Sequence, residues 1–218
     1  MSSGRVADEE GVTKFDLAFT PSPPLSGALL RPLNAWRQIL WRCGLIGQDP
    51  DRYGGVGFGN VSRRLATAAR RGALRFAITG TRTGTLAELD ANHYSTVIAC
   101  DPARNRVEAE GPIAPSSESL THGMLYRIDP SIGFIFHVHS PDIWQARAAL
   151  KLPTTAADVA YGTPAMAAEM RRLKRAGALM RQRIVVMAGH EDGVIAFGRT
   201  ADQAGGVLMR ELARALSV

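Results

Sequence analysis

Apolar residues recur along this chain in two different periods, and the change between them predicts where it folds as helix and where as sheet. From Leu33 to Cys43, the residues Leu33, Trp36, Ile39, Leu40 and Cys43 return at three- and four-residue spacing, which predicts an amphipathic helix stopped at Gly44. Just ahead, Pro21 to Pro32 is rich in proline, which fixes φ and lacks an N–H, so this stretch is expected to be an extended arm. The first residues, MSSGRVADEEGVTK, mix charges of both signs and contain no apolar run, so they read as a flexible leader and not as a secretory signal. Residues 1–32 are therefore set apart as leader and arm, and residues 33–218 as one domain. After the glycine-rich Tyr53 to Asn60, short β-rich runs fall at Asn60 to Leu65, Arg75 to Thr79, Tyr94 to Cys100 and Arg106 to Ala109. The last two are separated by the turn-prone Asp101-Pro102-Ala103-Arg104-Asn105.

The second half alternates differently. A helix is predicted over Ser117 to Arg127, a strand over Gly133 to Ser140, then a helix capped by Ser140 with Pro141 at its first position. Another helix runs from Pro164 to about Ala176, followed by strands Ile184 to Ala188 and Gly193 to Phe197 and a closing helix from Thr200 to Leu216. The early strands are hairpin-like and lack crossover helices, so the pattern predicts one mixed α/β domain with a predominantly antiparallel sheet flanked by helices.

Composition narrows the classes of function. The chain has 218 residues, 45% of them hydrophobic and 21% charged, which is enough for one ordinary core and typical of a soluble protein. No apolar run approaches the ~18 residues of a membrane span. Two cysteines, Cys43 and Cys100, sit in apolar surroundings, which argues against a disulfide framework and for a reducing cytoplasm. The net charge of +6 would suit nucleic acid only if it formed a basic stripe interleaved with aromatics. Instead the cations are scattered, as Arg63-Arg64, Arg70-Arg71, Arg171-Arg172 and Arg181 to Arg183, and aromatics make up only 6% of the chain. The expected partner is a small anionic or sugar-like substrate, not nucleic acid and not a membrane.

Candidate chemistry concentrates around His137-Val138-His139. Alternate residues of a strand share one face, so two imidazoles one residue apart stand side by side and can chelate one metal ion. An isolated pair could equally be two hydrogen-bonded histidines at a strand edge. His190 adds a third imidazole, in the glycine-flanked turn Gly189-His190-Glu191-Asp192-Gly193 at a strand end. Three imidazoles with an open fourth position describe a catalytic zinc-type site. Upstream, Ser116-Ser117-Glu118 opens a helix, where hydroxyls and unpaired N–H groups can receive a phosphate or carboxylate and where capping alone would also favour these residues. His122 lies one helical turn beyond Glu118, either orienting it or packing structurally, and His93 reads as a surface or helix-end residue.

In order, Gly59-Asn60-Val61-Ser62, Ile78-Thr79-Gly80-Thr81, Pro115-Ser116-Ser117-Glu118 followed by His122, His137-Val138-His139-Ser140 and Gly189-His190 resemble the class II aldolase/adducin family over roughly residues 33 to 215. The resemblance implies a three-layer α/β/α sandwich, a homotetramer, and a zinc or other divalent ion held by His137, His139 and His190. It implies an aldolase-type lyase that cleaves or forms a carbon–carbon bond in a small sugar or sugar phosphate through a metal-stabilised enediolate. Glu118 falls where aldolases of the family keep their catalytic glutamate. Asn60, Thr79, Gly80, Thr81, Ser116 and Ser117 fall where relatives hold the substrate phosphate. In the loop Thr79-Gly80-Thr81-Arg82-Thr83-Gly84 this chain departs from the family pattern, and Arg82 is either a bidentate partner for phosphate or carboxylate or a solvated loop charge. The segment Leu152 to Pro164 is similar to one that relatives donate to a neighbouring subunit, which makes Asp158 and Tyr161 candidates for a second acid/base group. The same resemblance leaves open a sugar-phosphate epimerase, a dehydratase, or an adducin-like interaction module without catalysis.

Overall fold

In the computed structural model, which describes residues 12–66 and 74–218, eight strands hydrogen-bond into one sheet. They are β1 (Asp16–Pro21), β2 (Asn60–Arg64), β3 (Phe76–Thr79), β4 (Tyr94–Asp101), β5 (Arg106–Gly111), β6 (Phe134–His139), β7 (Ile184–Val186) and β8 (Gly193–Gly198), in the spatial order β1-β5-β4-β3-β2-β6-β8-β7. Only β1 and β5 run parallel; the other neighbours are antiparallel, as hairpin-linked strands should be. The leader's residues 1–11 and the Arg70-Arg71 pair lie outside the described residues.

Helices cover both faces. On one, α2 (Ser119–Ile128), α4 (Pro164–Arg175) and α5 (Ala178–Gln182) bury Leu120, Met124, Met166, Met170 and Leu179 against Phe76, Ile135, Ile195 and Phe197 of the sheet. On the other, α1 (Gly27–Arg42), α3 (Pro141–Ala146) and α6 (Ala201–Ala215) bury Leu33, Leu40, Ile143, Ala204 and Leu208 against Val61, Phe136, Val138 and Val194. The result is the expected α/β/α sandwich, with a mostly antiparallel sheet.

Two elements differ from the sequence reading. Residues 1–32, expected as flexible leader and extended arm, contain β1, whose Leu17 and Phe19 alternate inward to pack on the core, and the first turns of α1. That helix starts at Gly27 and accommodates Pro32, because burial of Leu30 and Leu33 on one side offsets the backbone hydrogen bond the exposed proline cannot make. The short α5, which the sequence reading does not include, is set between the left-handed residues Gly177 and Arg183. The remaining predicted strands and helices form within a few residues of their expected ends, and Ser140 and Thr163 cap α3 and α4 by accepting the Ile143 and Met166 N–H groups.

Strand alternation decides which chemistry meets. In β6, Phe136 and Val138 face α1 and α6, so Ile135, His137 and His139 face α2. Likewise Val61 of β2 turns toward α1, leaving Asn60 and Ser62 on the α2 side.

Candidate metal centre and anion cleft

His137 and His139 meet His190, which the tight turn after β7 returns to the sheet through a Gly193 N–H bond to the His190 carbonyl. All three rings are buried, their centroids lie 4.8 to 5.2 Å apart, and one candidate ligand atom from each lies within 4.8 Å of the others. Burial, and then the neighbouring imidazoles, hold His137 and His139 well below the usual histidine pKa, so both rings are neutral at pH 7, the form that ligates a metal. His137 Nε2 is buried with no hydrogen-bond partner among the described residues, an uncompensated lone pair or N–H that a metal would explain. The donor set fits a divalent transition metal with three nitrogen ligands.

Glu118, the residue before α2, is almost wholly buried, and its Oε1 lies 3.5 Å from His190 Nδ1. A carboxylate there can hold the ring of a ligating histidine or reach a group bound beside it. Its backbone N–H donates to Ser116 Oγ at 3.2 Å, and Ser119 Oγ donates to the Ser116 carbonyl at 2.6 Å, so the turn that carries Glu118 is stitched internally.

Beside the triad, Asn60, Gly80, Thr81, Arg82, Ser116 and Ser117 line one small cleft, as the sequence reading groups them. The Ser116 N–H donates to the Thr79 carbonyl and the Thr81 N–H to the Ala114 carbonyl, which docks the loop before α2 onto the end of β3. Thr79 does not line the cleft: its Oγ1 accepts the Val61 N–H at 3.2 Å and serves the backbone of β2. Arg82 is exposed at the mouth, in a left-handed conformation (φ 60°) that a non-glycine residue rarely adopts. Gly57 and Gly84 complete the wall. A Cβ on Gly84 would stand 2.7 Å from the Phe58 nitrogen and one on Gly57 2.8 Å from the Thr85 nitrogen, so the two loops meet backbone to backbone.

Tyr161 and Asp158 part company. Tyr161 is buried with its ring 4.6 Å from that of His190 in the same chain, Lys14 Nζ over the ring at 3.8 Å, and its hydroxyl donating to the Val12 carbonyl at 3.3 Å. A Gly162 N–H bond to Thr121 Oγ1 ties this segment to α2. Asp158 is exposed on the same loop and is not brought to the triad. His122 is buried below Glu118, its Nδ1 2.7 Å from Ser62 Oγ, which lies 2.8 Å from the Tyr126 hydroxyl; burial pushes its pKa down to about 3.

The structure adds residues that sequence reasoning missed. Asp192, two residues after His190, accepts from Arg52 and from the Tyr53 hydroxyl (2.7 Å), and Tyr53 and Phe58 stack around His139 at 4.5 and 5.2 Å. The Tyr53 hydroxyl is held above the usual tyrosine range by burial and by Asp192. Arg37 is fully buried and donates to the Thr83 carbonyl at 2.9 Å and the Ala87 carbonyl at 2.8 Å, clamping the loop that carries Arg82. Arg37 was legible: with Leu33 and Leu40 it sits on the apolar stripe of α1, where an unpartnered charge would be costly. Nothing in the local pattern announced Arg52 or Tyr53.

A mostly antiparallel α/β/α sandwich thus carries, beside a polar cleft, three converging imidazoles that could hold a metal ion. The family model described as "Class II Aldolase and Adducin N-terminal domain" matches residues 51–216, and the chain belongs to that family. Among solved structures, it is similar to L-fuculose-1-phosphate aldolase from Thermus thermophilus (20% identity, TM-score 0.59, covering 87% of this chain and 91% of that one). It is also similar to a sugar-phosphate aldolase from Thermotoga maritima (18%, 0.62, 87% and 95%). YgbL from Escherichia coli, named as a candidate aldolase, epimerase or decarboxylase, shares the fold at 16% identity, TM-score 0.63 and 88% of both chains. Among the described residues no helix is long and apolar enough to cross a membrane.

Proposed function

We propose that the protein is a divalent-metal-dependent aldolase-type lyase, zinc being the ion best suited to three imidazoles, acting on a small sugar or sugar phosphate. The observation that carries this reading is the convergence of His137, His139 and His190 on one point with Glu118 beside them and the anion cleft adjacent. The sugar-phosphate aldolases among the structural neighbours support a phosphorylated substrate. When bound, the ion supplies positive charge that polarises a carbonyl and offsets the negative charge developing as the carbon–carbon bond breaks. The hydroxyls of Ser116, Ser117 and Thr81 anchor the anionic end of the substrate, Gly80 shapes the floor with its N–H engaged by the His93 carbonyl, and Arg82 at the mouth adds a bidentate cation. Glu118, shielded from water, moves the proton on the carbon next to the carbonyl. Tyr161, already against His190, is the better placed of the two second acid/base candidates, since Asp158 is exposed. The working unit in this proposal is a homotetramer in the cytoplasm, where the unpaired Cys43 and Cys100 stay reduced.

Proton exchange tests the reading. With about one zinc per chain, the protein should exchange a carbon-bound hydrogen of dihydroxyacetone phosphate with deuterated water in the absence of aldehyde. Glu118→Gln should keep the metal and lose exchange by roughly 10²- to 10⁴-fold. Metal-loaded protein that exchanges nothing across a panel of small ketones removes the lyase reading, because an epimerase that only breaks and remakes the bond need not catalyse it.

A further inference from the structure

Asn60 and His137 are direct cross-strand partners in the β2–β6 ladder, with side chains on the same face, so the sheet itself brings the carboxamide to the imidazole. The Asn60 amide nitrogen lies 3.2 Å from His137 Nδ1. Two buried atoms on this same pair have no hydrogen-bond partner among the described residues, Asn60 Oδ1 and His137 Nε2. If the amide N–H donates to Nδ1, the neutral ring must carry its proton on Nε2, which then points an N–H and no lone pair at His139 and His190. Asn60 Oδ1 stays uncompensated as well. The two ends of a carboxamide are nearly equal in size, so hydrogen bonding decides which faces which neighbour. Turning the group over gives Oδ1 a partner and frees the Nε2 lone pair with one motion. Oδ1 then accepts the Nδ1–H of His137, and the lone pair of Nε2 is released toward the triad.

We propose that Asn60 is a positioning residue that fixes the tautomer of His137 through Oδ1 while presenting its amide N–H groups to the anion cleft that it lines. One side chain thereby links the metal centre to the anion site: the better its N–H groups are held by a bound anion, the more firmly its oxygen faces His137. This rests on the metal reading above, and linkage makes the coupling reciprocal, so phosphate and metal each tighten the other.

Histidine ¹⁵N NMR on the metal-free protein, with the His137 signals assigned by their loss in His137→Gln, reads the tautomer directly. The expected result is Nδ1–H for His137 in the wild type and loss of that preference in Asn60→Ala; an Nε2–H tautomer in the wild type overturns the proposal. Zinc titration should show Asn60→Ala binding about 10- to 100-fold more weakly than wild type, the usual cost of removing a partner of a ligating histidine. Asn60→Asp, which keeps the acceptor, should hold zinc within a few fold of wild type yet lose the tightening by inorganic phosphate. Wild-type zinc affinity in Asn60→Ala overturns the proposal and leaves the metal site standing. A wild type that binds no zinc overturns the metal site instead, and the tautomer measurement still decides what Asn60 does.

Discussion

Two sets of buried histidine lie on the same side of the sheet, and they are built in opposite ways. His122 sits among hydroxyls, with Ser62 on Nδ1 and Tyr126 beyond, a ladder that ties α2 to β2. His137, His139 and His190 instead face one another, and a small apolar wall of Tyr53, Phe58 and Tyr161 closes around them. What separates the two is convergence: His122 has a hydroxyl on Nδ1, whereas the triad brings one nitrogen from each of three rings within 4.8 Å of the others, the spacing a shared cation needs. Burial of histidine alone therefore says little about chemistry, and the company it keeps says a great deal.

Substitution should split the two sets cleanly. His137→Ala or His190→Ala is expected to abolish stoichiometric zinc binding in elemental analysis, while His122→Gln keeps about one ion per chain. Loss of the ion from His122→Gln would merge the two sets into one site.

The cleft offers the next test, because Arg37 on the far side of the sheet holds its loop. Arg37→Met removes the guanidinium donor from the Ala87 carbonyl and from the Thr83 carbonyl, which keeps the Leu86 N–H, and should lower stability by about 1–3 kcal/mol in urea unfolding. Phosphate affinity should fall about tenfold as the Arg82 loop loosens, with zinc affinity unchanged. Arg37→Lys should recover only part, since a single ammonium lacks the planar fork that spans two carbonyls.

The smallest effect is one of pH. His122 is depressed from 6.5 to about 3 in the folded protein, so the unfolded chain takes up a proton first as pH falls. Its stabilising contribution is complete above about 6.5 and is lost progressively toward 3, reaching roughly 2 kcal/mol by pH 5. Urea unfolding of the metal-free protein should weaken over this window, and His122→Gln should flatten part of the slope; an unaltered slope assigns the loss to the triad alone.

The sheet strands and capped helices were legible because their signals are local: period-two runs, Ser140 before Pro141, Thr163 before Pro164. The pairing of His137 with His139 was legible for the same reason, since strand period alone puts them side by side, whereas His190 joins them only through the fold. What stayed hidden depends on distant neighbours. The pairing of β1 with β5 is a parallel contact between segments far apart in the chain, and the weak alternation of β1 gives no hint of a partner. Pro32 argued against helix until burial of Leu30 and Leu33 overrode it. The contact of the Tyr161 ring with His190, beside the Gly162–Thr121 bond, likewise joins segments that no local pattern links. The Arg52–Tyr53–Asp192 cluster joins residues some 140 positions apart, beyond any window of sequence pattern.

The contact between Gly57 and Gly84 bears on how this scaffold can be re-tooled. Where two main chains touch, neither position can be handed a new side chain, so mutation cannot widen or narrow the recess from those sides. Variation is channelled to Thr81 and Arg82 at the rim, and Arg82 already occupies a left-handed geometry that glycine or asparagine would adopt with less strain. A library aimed at changing what the cleft admits would do best to randomise those two positions and leave the glycines alone.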